Sequence, residues 1–118
     1  MGHHSQVLSF KYAFEGIWAA LKEEPNLKTH CLIALLVIIL ATLLKVSLTD
    51  WVLLIILIGL VIALELTNTA IETVVDSLTS QEHPGAKLAK DIAAGAVLIV
   101  SLTAAIAGTI IFLPYLSF

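Results

Sequence analysis

The sequence contains no arginine, and its six lysines are scattered along the chain. Because nucleic-acid binding requires a concentrated basic surface, no nucleic acid partner is indicated. The single cysteine, Cys31, excludes an intrachain disulfide. Charged residues of both signs make up 13% of the chain, less than is typical of soluble domains. Hydrophobic residues make up 59%, and the mean hydropathy is +1.03. These values indicate an integral membrane protein.

Familiar nucleotide-binding and metal-binding motifs are also missing. The chain has no GxxxxGK[ST] phosphate loop, no GxGxxG turn and no cluster of histidines and cysteines with metal-ligand spacing. Any phosphate chemistry must therefore use carboxylates and a metal ion without a phosphate loop.

The apolar pattern predicts one membrane-embedded domain over residues 1–118. In the segment at about 6–24, apolar side chains recur at helical spacing, which predicts an amphipathic helix on the membrane surface. A helix that packs only on protein is the alternative. Three longer segments at about 27–48, 51–78 and 86–113 have the length and apolar character of spanning helices.

The lysines predict the orientation of these helices. Five of the six lie in the N-terminal segment or in the loop before the third apolar segment, and only Lys45 lies in the other loop. Since cytoplasmic loops are enriched in positive charge, we expect the N-terminus and the 79–90 loop in the cytoplasm and the C-terminus outside.

The second apolar segment ends in polar residues that share one helical face. At 100° per residue, an arc of about 80° contains Glu65, Asn68, Glu72 and Asp76. If Trp51 lies at the outer interface, Glu65 lies about 21 Å inward and Glu72 about 31 Å inward. Because the hydrocarbon is about 30 Å thick, this stripe runs from inside the membrane to its cytoplasmic surface.

The placement of the stripe suits chemistry at a membrane surface. A carboxylate at membrane depth can reach a lipid hydroxyl, and carboxylates at the boundary can hold a divalent metal through oxygen. The alternative is a structural stripe that joins subunits by hydrogen bonds, which three carboxylates fit poorly. At the start of the third segment, Lys90 is either a phosphate contact or a basic anchor.

Two stretches, "ELTNTAIETVVDS" and "AKDIAAGAVL", resemble the small prokaryotic integral-membrane kinases, namely diacylglycerol kinase and undecaprenol kinase. The shorter stretches "YAFEGI" and "KEE" resemble the N-terminal helix and elbow of that family. The similarity extends from about Ser9 to Leu113. It implies an all-α homotrimer in the bacterial cell membrane, each chain with a surface helix and three transmembrane helices. The implied active sites lie between subunits on the cytoplasmic side.

The resemblance also implies an activity and roles for particular residues. The implied reaction transfers the γ-phosphate of ATP to a membrane lipid alcohol, with Mg²⁺. Glu65 resembles the general base, Glu24 and Glu72 resemble the metal ligands, and Asn68 falls in the catalytic block. The further residues that resemble nucleotide contacts are Tyr12, Gln81, Glu82, His83, Lys90 and Asp91.

Two departures from the family pattern concern the substrate. Ser5 stands near the place where the family often has an arginine that contacts ATP or lipid, and His30 replaces a glutamate of the proteobacterial branch. Histidine at this position is typical of the Gram-positive branch, which favours undecaprenol as the acceptor. Diacylglycerol is the alternative acceptor. An oligomer that conducts ions or protons through the stripe is the alternative from another class.

Overall fold

The computed structural model describes residues 3–78 and 83–117, and of His3 and His4 it describes the backbone only. The elements within these ranges are α1 (His3–Glu23), α2 (Pro25–Leu44), α3 (Leu48–Leu78), α4 (Pro84–Phe112) and a short 3₁₀ helix (Leu113–Leu116). Three segments, formed by α2, by α3 and by α4 with the 3₁₀ helix, are long and apolar enough to cross a membrane. The prediction of an all-α integral membrane protein with three spanning helices is therefore confirmed.

The boundary between α1 and α2 is a single residue. Glu24 has an extended backbone (φ −104°, ψ 108°), and Pro25 occupies the first turn of α2. Proline suits that position because the first N–H groups of a helix have no partner within the helix. The Glu24 side chain makes no capping hydrogen bond, so its carboxylate is not used to begin α2.

Helix α2 ends four residues before the predicted boundary at residue 48. Lys45 adopts a left-handed conformation (φ 53°), and its N–H bonds to the Thr42 carbonyl. The N–H of Val46 bonds to the Ala41 carbonyl at 3.2 Å, and both of these side chains are buried. This is the Schellman arrangement, which usually has glycine in the left-handed position. A lysine there gives no sequence signal of a helix end.

Helix α3 is the element against which the other helices pack. It contacts α1, α2 and α4, and its contact with α4 is the most extensive. At the end of the bundle where α2 ends and α3 begins, a buried cluster consists of Ala41, Val46, Leu54, Ile111 and Phe112. Large apolar side chains elsewhere on the spanning helices are exposed, as expected of surfaces that face hydrocarbon or another subunit.

The 3₁₀ helix is tied to the start of α3 by one side chain. The Tyr115 hydroxyl accepts a hydrogen bond from the Ser47 N–H at 2.9 Å and donates one to Asp50 Oδ2 at 2.5 Å. Ser47 also accepts a hydrogen bond from the Asp50 N–H through its own side chain, which caps α3. We call this set of three residues the outer clasp.

We expect Tyr115→Phe to lower the free energy of unfolding by about 1–2 kcal/mol, because a hydrogen bond to a charged group contributes on that order. The phenyl ring keeps its packing against the buried cluster. Thermal unfolding in detergent measures the change, and Tyr12→Phe, at an exposed tyrosine of α1, is the matched control. Equal unfolding midpoints for Tyr115→Phe and the unsubstituted protein would show that the outer clasp contributes no stability.

Candidate active site

The polar stripe of α3 runs from a buried carboxylate to an exposed one. Glu65 is 2% exposed and Asn68 is 7% exposed. Glu72 is half-buried, and Asp76 is exposed. Since an ionisable group inside a spanning helix is costly and usually marks function, this gradient identifies the C-terminal half of α3 as the candidate site.

His30 of α2 lies beside the deepest carboxylate. Its Nε2 is 3.7 Å from Glu65 Oε2, and its side chain is 20% exposed. This distance is too long for a direct hydrogen bond, so the contact is electrostatic. The sequence predicted His30 only as a marker of the substrate, because sequence does not reveal which residue of α2 faces Glu65. The signal in the sequence that could have identified His30 as a site residue is its ionisable side chain near the end of a membrane helix.

Asn68 and Glu72 are linked along the stripe. Asn68 Nδ2 donates a hydrogen bond to Glu72 Oε1 at 3.2 Å. The other amide atom, Asn68 Oδ1, is buried without a hydrogen-bond partner within the described ranges. Buried polar atoms of this kind are uncommon in folded proteins. Asn68 therefore holds the Glu72 carboxylate in place and keeps an unused acceptor inside the site.

Two further carboxylates lie near Glu65, those of Glu72 on the same helix and of Glu24 at the junction of α1 and α2. The charges that act on Glu65 are those of His30, Glu72 and Glu24. Glu24 reaches this region because α1 contacts both α2 and α3. The two residues predicted as metal ligands thus lie near the same buried carboxylate.

This donor set fits a metal ion that arrives with a nucleotide. Among residues 3–78 and 83–117, no group of three or more histidine, cysteine, aspartate or glutamate side chains is arranged to hold a metal. Mg²⁺ is commonly bound by one or two carboxylates together with substrate phosphates, and not by a cage of protein ligands. Glu24 and Glu72 are the predicted metal ligands, and they are two carboxylates of the kind that such a site uses.

Two ion pairs lie at the N-terminal end of α4. Lys90 Nζ lies 2.9 Å from Asp76 Oδ1, and Lys87 Nζ lies 2.6 Å from Asp91 Oδ2. The Glu72 charge also acts on Lys90. Because exposed ion pairs are weak, a phosphate group can displace Asp76 from Lys90 at small cost. The ion pair thus places the predicted phosphate contact Lys90 of α4 beside the polar stripe of α3.

The remaining residues predicted as nucleotide contacts lie on α1, at the start of α4 and outside the described residues. Tyr12 lies on α1 and is 60% exposed. The Nδ1 atom of His83 accepts hydrogen bonds from the Gly85 and Ala86 N–H groups, so its ring caps α4. The predicted contacts at residues 81 and 82 lie outside the described residues.

The chain belongs to the prokaryotic diacylglycerol kinase family, whose pattern matches residues 11–112. The fold and site thus define a lipid kinase of the bacterial membrane. It is similar to undecaprenol kinase of Bacillus subtilis, at 44% identity over 108 residues, which cover 92% of this chain and 88% of the relative.

Relatives named diacylglycerol kinase are also similar. The protein of Synechocystis is 40% identical over 92% of this chain and 62% of its own length. The protein of Escherichia coli K12 is 37% identical over 80% of this chain and 78% of its own length.

Proposed function

We propose that this lipid kinase transfers the γ-phosphate of ATP to undecaprenol at the cytoplasmic face of the cell membrane. The observation that carries the proposal is the line of carboxylates on α3, which passes from a buried position to an exposed one. A lipid hydroxyl is confined to the membrane, whereas ATP is confined to water. A single helix that carries reactive groups across that boundary brings the two substrates together.

In this proposal Glu65 is the general base. It is the most buried carboxylate of the stripe, at the depth of a lipid hydroxyl. Glu65 takes the hydroxyl proton while the hydroxyl oxygen forms a bond to the γ-phosphorus. The bond from the γ-phosphorus to the bridging oxygen breaks, and ADP leaves with that oxygen. His30 lies beside this carboxylate, with its Nε2 atom 3.7 Å from Oε2.

Glu24 and Glu72 would hold Mg²⁺ that arrives with ATP, and Asn68 orients Glu72 through their hydrogen bond. When bound, the ion neutralises charge on the phosphates. Lys90 contributes a second positive charge from α4, and Asp91 lies one residue further on. The proposal also places Tyr12, Gln81, Glu82 and His83 on the nucleotide side.

The proposed assembly is a homotrimer with α1 on the cytoplasmic membrane surface. Three membrane helices cannot surround a polar stripe on all sides, so residues near Glu65 need a neighbouring subunit or a hydrated cavity. Asn68 Oδ1 is buried and has no hydrogen-bond partner in the described part of the chain, which supports the proposal of a neighbouring subunit or a hydrated cavity here. Ala93 of α4 is buried and small, which permits close helix packing.

Diacylglycerol is the second candidate acceptor, because several relatives carry the name diacylglycerol kinase. The two acceptors differ in the number of hydrocarbon chains but present the same reactive group, a hydroxyl. The alternative of an ion- or proton-conducting oligomer predicts no covalent product.

A lipid panel separates these functions. The purified protein is reconstituted with undecaprenol or diacylglycerol and supplied with γ-labelled ATP and Mg²⁺, and the products are separated by thin-layer chromatography. We expect label in undecaprenyl phosphate, with a higher kcat/KM than for diacylglycerol. Stronger labelling of phosphatidic acid would assign the second candidate, and unlabelled lipids throughout would contradict the kinase function.

Glu65→Gln tests the assignment of the base. We expect kcat to fall by roughly 10²-fold or more, the usual effect of losing a general base, because glutamine keeps the shape but accepts no proton. Glu15→Gln is the matched control, since Glu15 is an exposed carboxylate of α1 outside the stripe. Near-normal turnover by a correctly folded Glu65→Gln protein would refute this role.

A further inference from the structure

Helix α4 begins with a histidine as its N-cap. The backbone of His83 is extended (φ −130°, ψ 124°), and its Nδ1 atom accepts hydrogen bonds from the N–H groups of Gly85 at 3.0 Å and Ala86 at 3.3 Å. The His83 carbonyl accepts a bond from the Lys87 N–H at 3.0 Å. Since Pro84 has no N–H, every backbone donor of residues 84–87 has a partner, and His83 supplies all of them.

These bonds determine what the start of α4 can bind. A helix N-terminus commonly holds a phosphate group through its free N–H groups. Here the His83 ring already occupies the N–H groups of Gly85 and Ala86. With the cap in place, the phosphates of a nucleotide must be held by side chains, of which Lys90 is the predicted one.

The ring of His83 lies directly against Gly85. A Cβ atom added at Gly85 would lie 3.1 Å from Cε1 and 3.2 Å from Nδ1 of His83, closer than an ordinary van der Waals contact. A larger residue at this position would therefore push the ring away from the N–H groups that it accepts from. Glycine after Pro84 thus gives the histidine room to act as the cap.

Little packing holds the first turn of α4 within the described chain. Of residues 83–89, Ala86 is partly buried and the others are exposed. Most helical stability in proteins comes from tertiary packing, so a turn with so little packing depends on its cap. Losing a good N-cap typically shifts the equilibrium at a helix end by about fivefold.

The capped turn supports two residues of the candidate site. In an α-helix each N–H bonds to the carbonyl four residues earlier, so the backbones of Lys90 and Asp91 are held by the carbonyls of residues 86 and 87. The Lys87 side chain also pairs with Asp91, and Lys90 pairs with Asp76 of α3. Unwinding of the first turn would remove the backbone bonds that fix Lys90 and Asp91.

We propose that His83 is a positioning residue of the ATP site, whose ring caps α4 and thereby holds Lys90 and Asp91 where the nucleotide binds. The inference rests on the proposed function and deepens it, because it assigns the role of His83 to one ring atom. That atom is Nδ1, which faces the backbone. Since Nδ1 accepts, the hydrogen of the neutral ring is on Nε2, the atom through which the ring could contact a nucleotide directly.

Two amide side chains separate these roles. The Oδ1 atom of asparagine takes the position of histidine Nδ1, whereas the amide group of glutamine reaches the position of Nε2. Asparagine is also among the most favourable N-cap residues. The test therefore compares His83→Ala, His83→Asn and His83→Gln with the unsubstituted protein. Leu88→Ala, at an exposed residue one turn further along α4, is the control.

We expect His83→Ala and His83→Gln to raise the KM for Mg-ATP by about threefold to tenfold, because the apparent affinity falls with the fraction of molecules in which the first turn is formed. The kcat value and the KM for the lipid should stay within about twofold, because saturating Mg-ATP restores the formed turn. His83→Asn should recover most of the lost affinity for Mg-ATP. Leu88→Ala should leave all three constants unchanged.

Amide hydrogen exchange measures the cap without any reference to activity. Exchange at Gly85 and Ala86 should be faster in His83→Ala and His83→Gln than in the unsubstituted protein, because these N–H groups lose their acceptor. In His83→Asn both amides should be protected again. The lysine side chains play no part in this measurement.

Recovery by His83→Gln and not by His83→Asn would overturn the proposal, since the ring would then contact the nucleotide through Nε2. An unchanged KM for Mg-ATP in His83→Ala would also overturn it, as would unchanged exchange at Gly85 and Ala86 in that variant. If the unsubstituted protein phosphorylates no lipid, the proposed function itself fails, and the exchange rates alone then decide whether His83 caps α4.

Discussion

A carboxylate buried inside a membrane-spanning helix is the constraint on which the rest of this structure depends. Glu65 is 2% exposed, and a charge in such a place is costly unless nearby groups compensate for it. His30 provides the compensating contact from α2. The packing of the helices therefore brings one particular residue of α2, His30, beside one particular residue of α3, Glu65.

Because α3 is long, one helix carries both the buried Glu65 carboxylate and more exposed carboxylates, so the candidate site can be reached from the membrane and from water. The helix runs for 31 residues from Leu48 to Leu78, longer than a span requires, so its last turns leave the membrane with Glu72 and Asp76. Helix α4 returns from the same side, and Lys90 pairs with Asp76 there. Two neighbouring helices thus place opposite charges side by side, and the proposed Mg-ATP site uses both.

The helical stripe and the three spans followed from the sequence because each depends on periodicity and composition within one segment. Contacts between segments did not follow, since periodicity leaves the rotation of one helix against another undetermined. The proximity of His30 to Glu65 and the pairing of Lys90 with Asp76 belong to this group. The early end of α2 was missed because Lys45 adopts a conformation usual for glycine. The capping by His83 was missed because histidine is not a usual N-cap residue.

The central claim is that Mg-ATP binds where the stripe of α3 leaves the membrane. Paramagnetic broadening tests it directly: Mn²⁺ replaces Mg²⁺ with ATP, and solid-state NMR follows the labelled carboxyl carbons of aspartate and glutamate in bilayers. The account predicts the strongest broadening at Glu24 and Glu72, weaker broadening at Glu65, and a sharp signal from Asp50 at the opposite end of α3. Sharp signals from Glu24 and Glu72 under saturating Mn-ATP would contradict it.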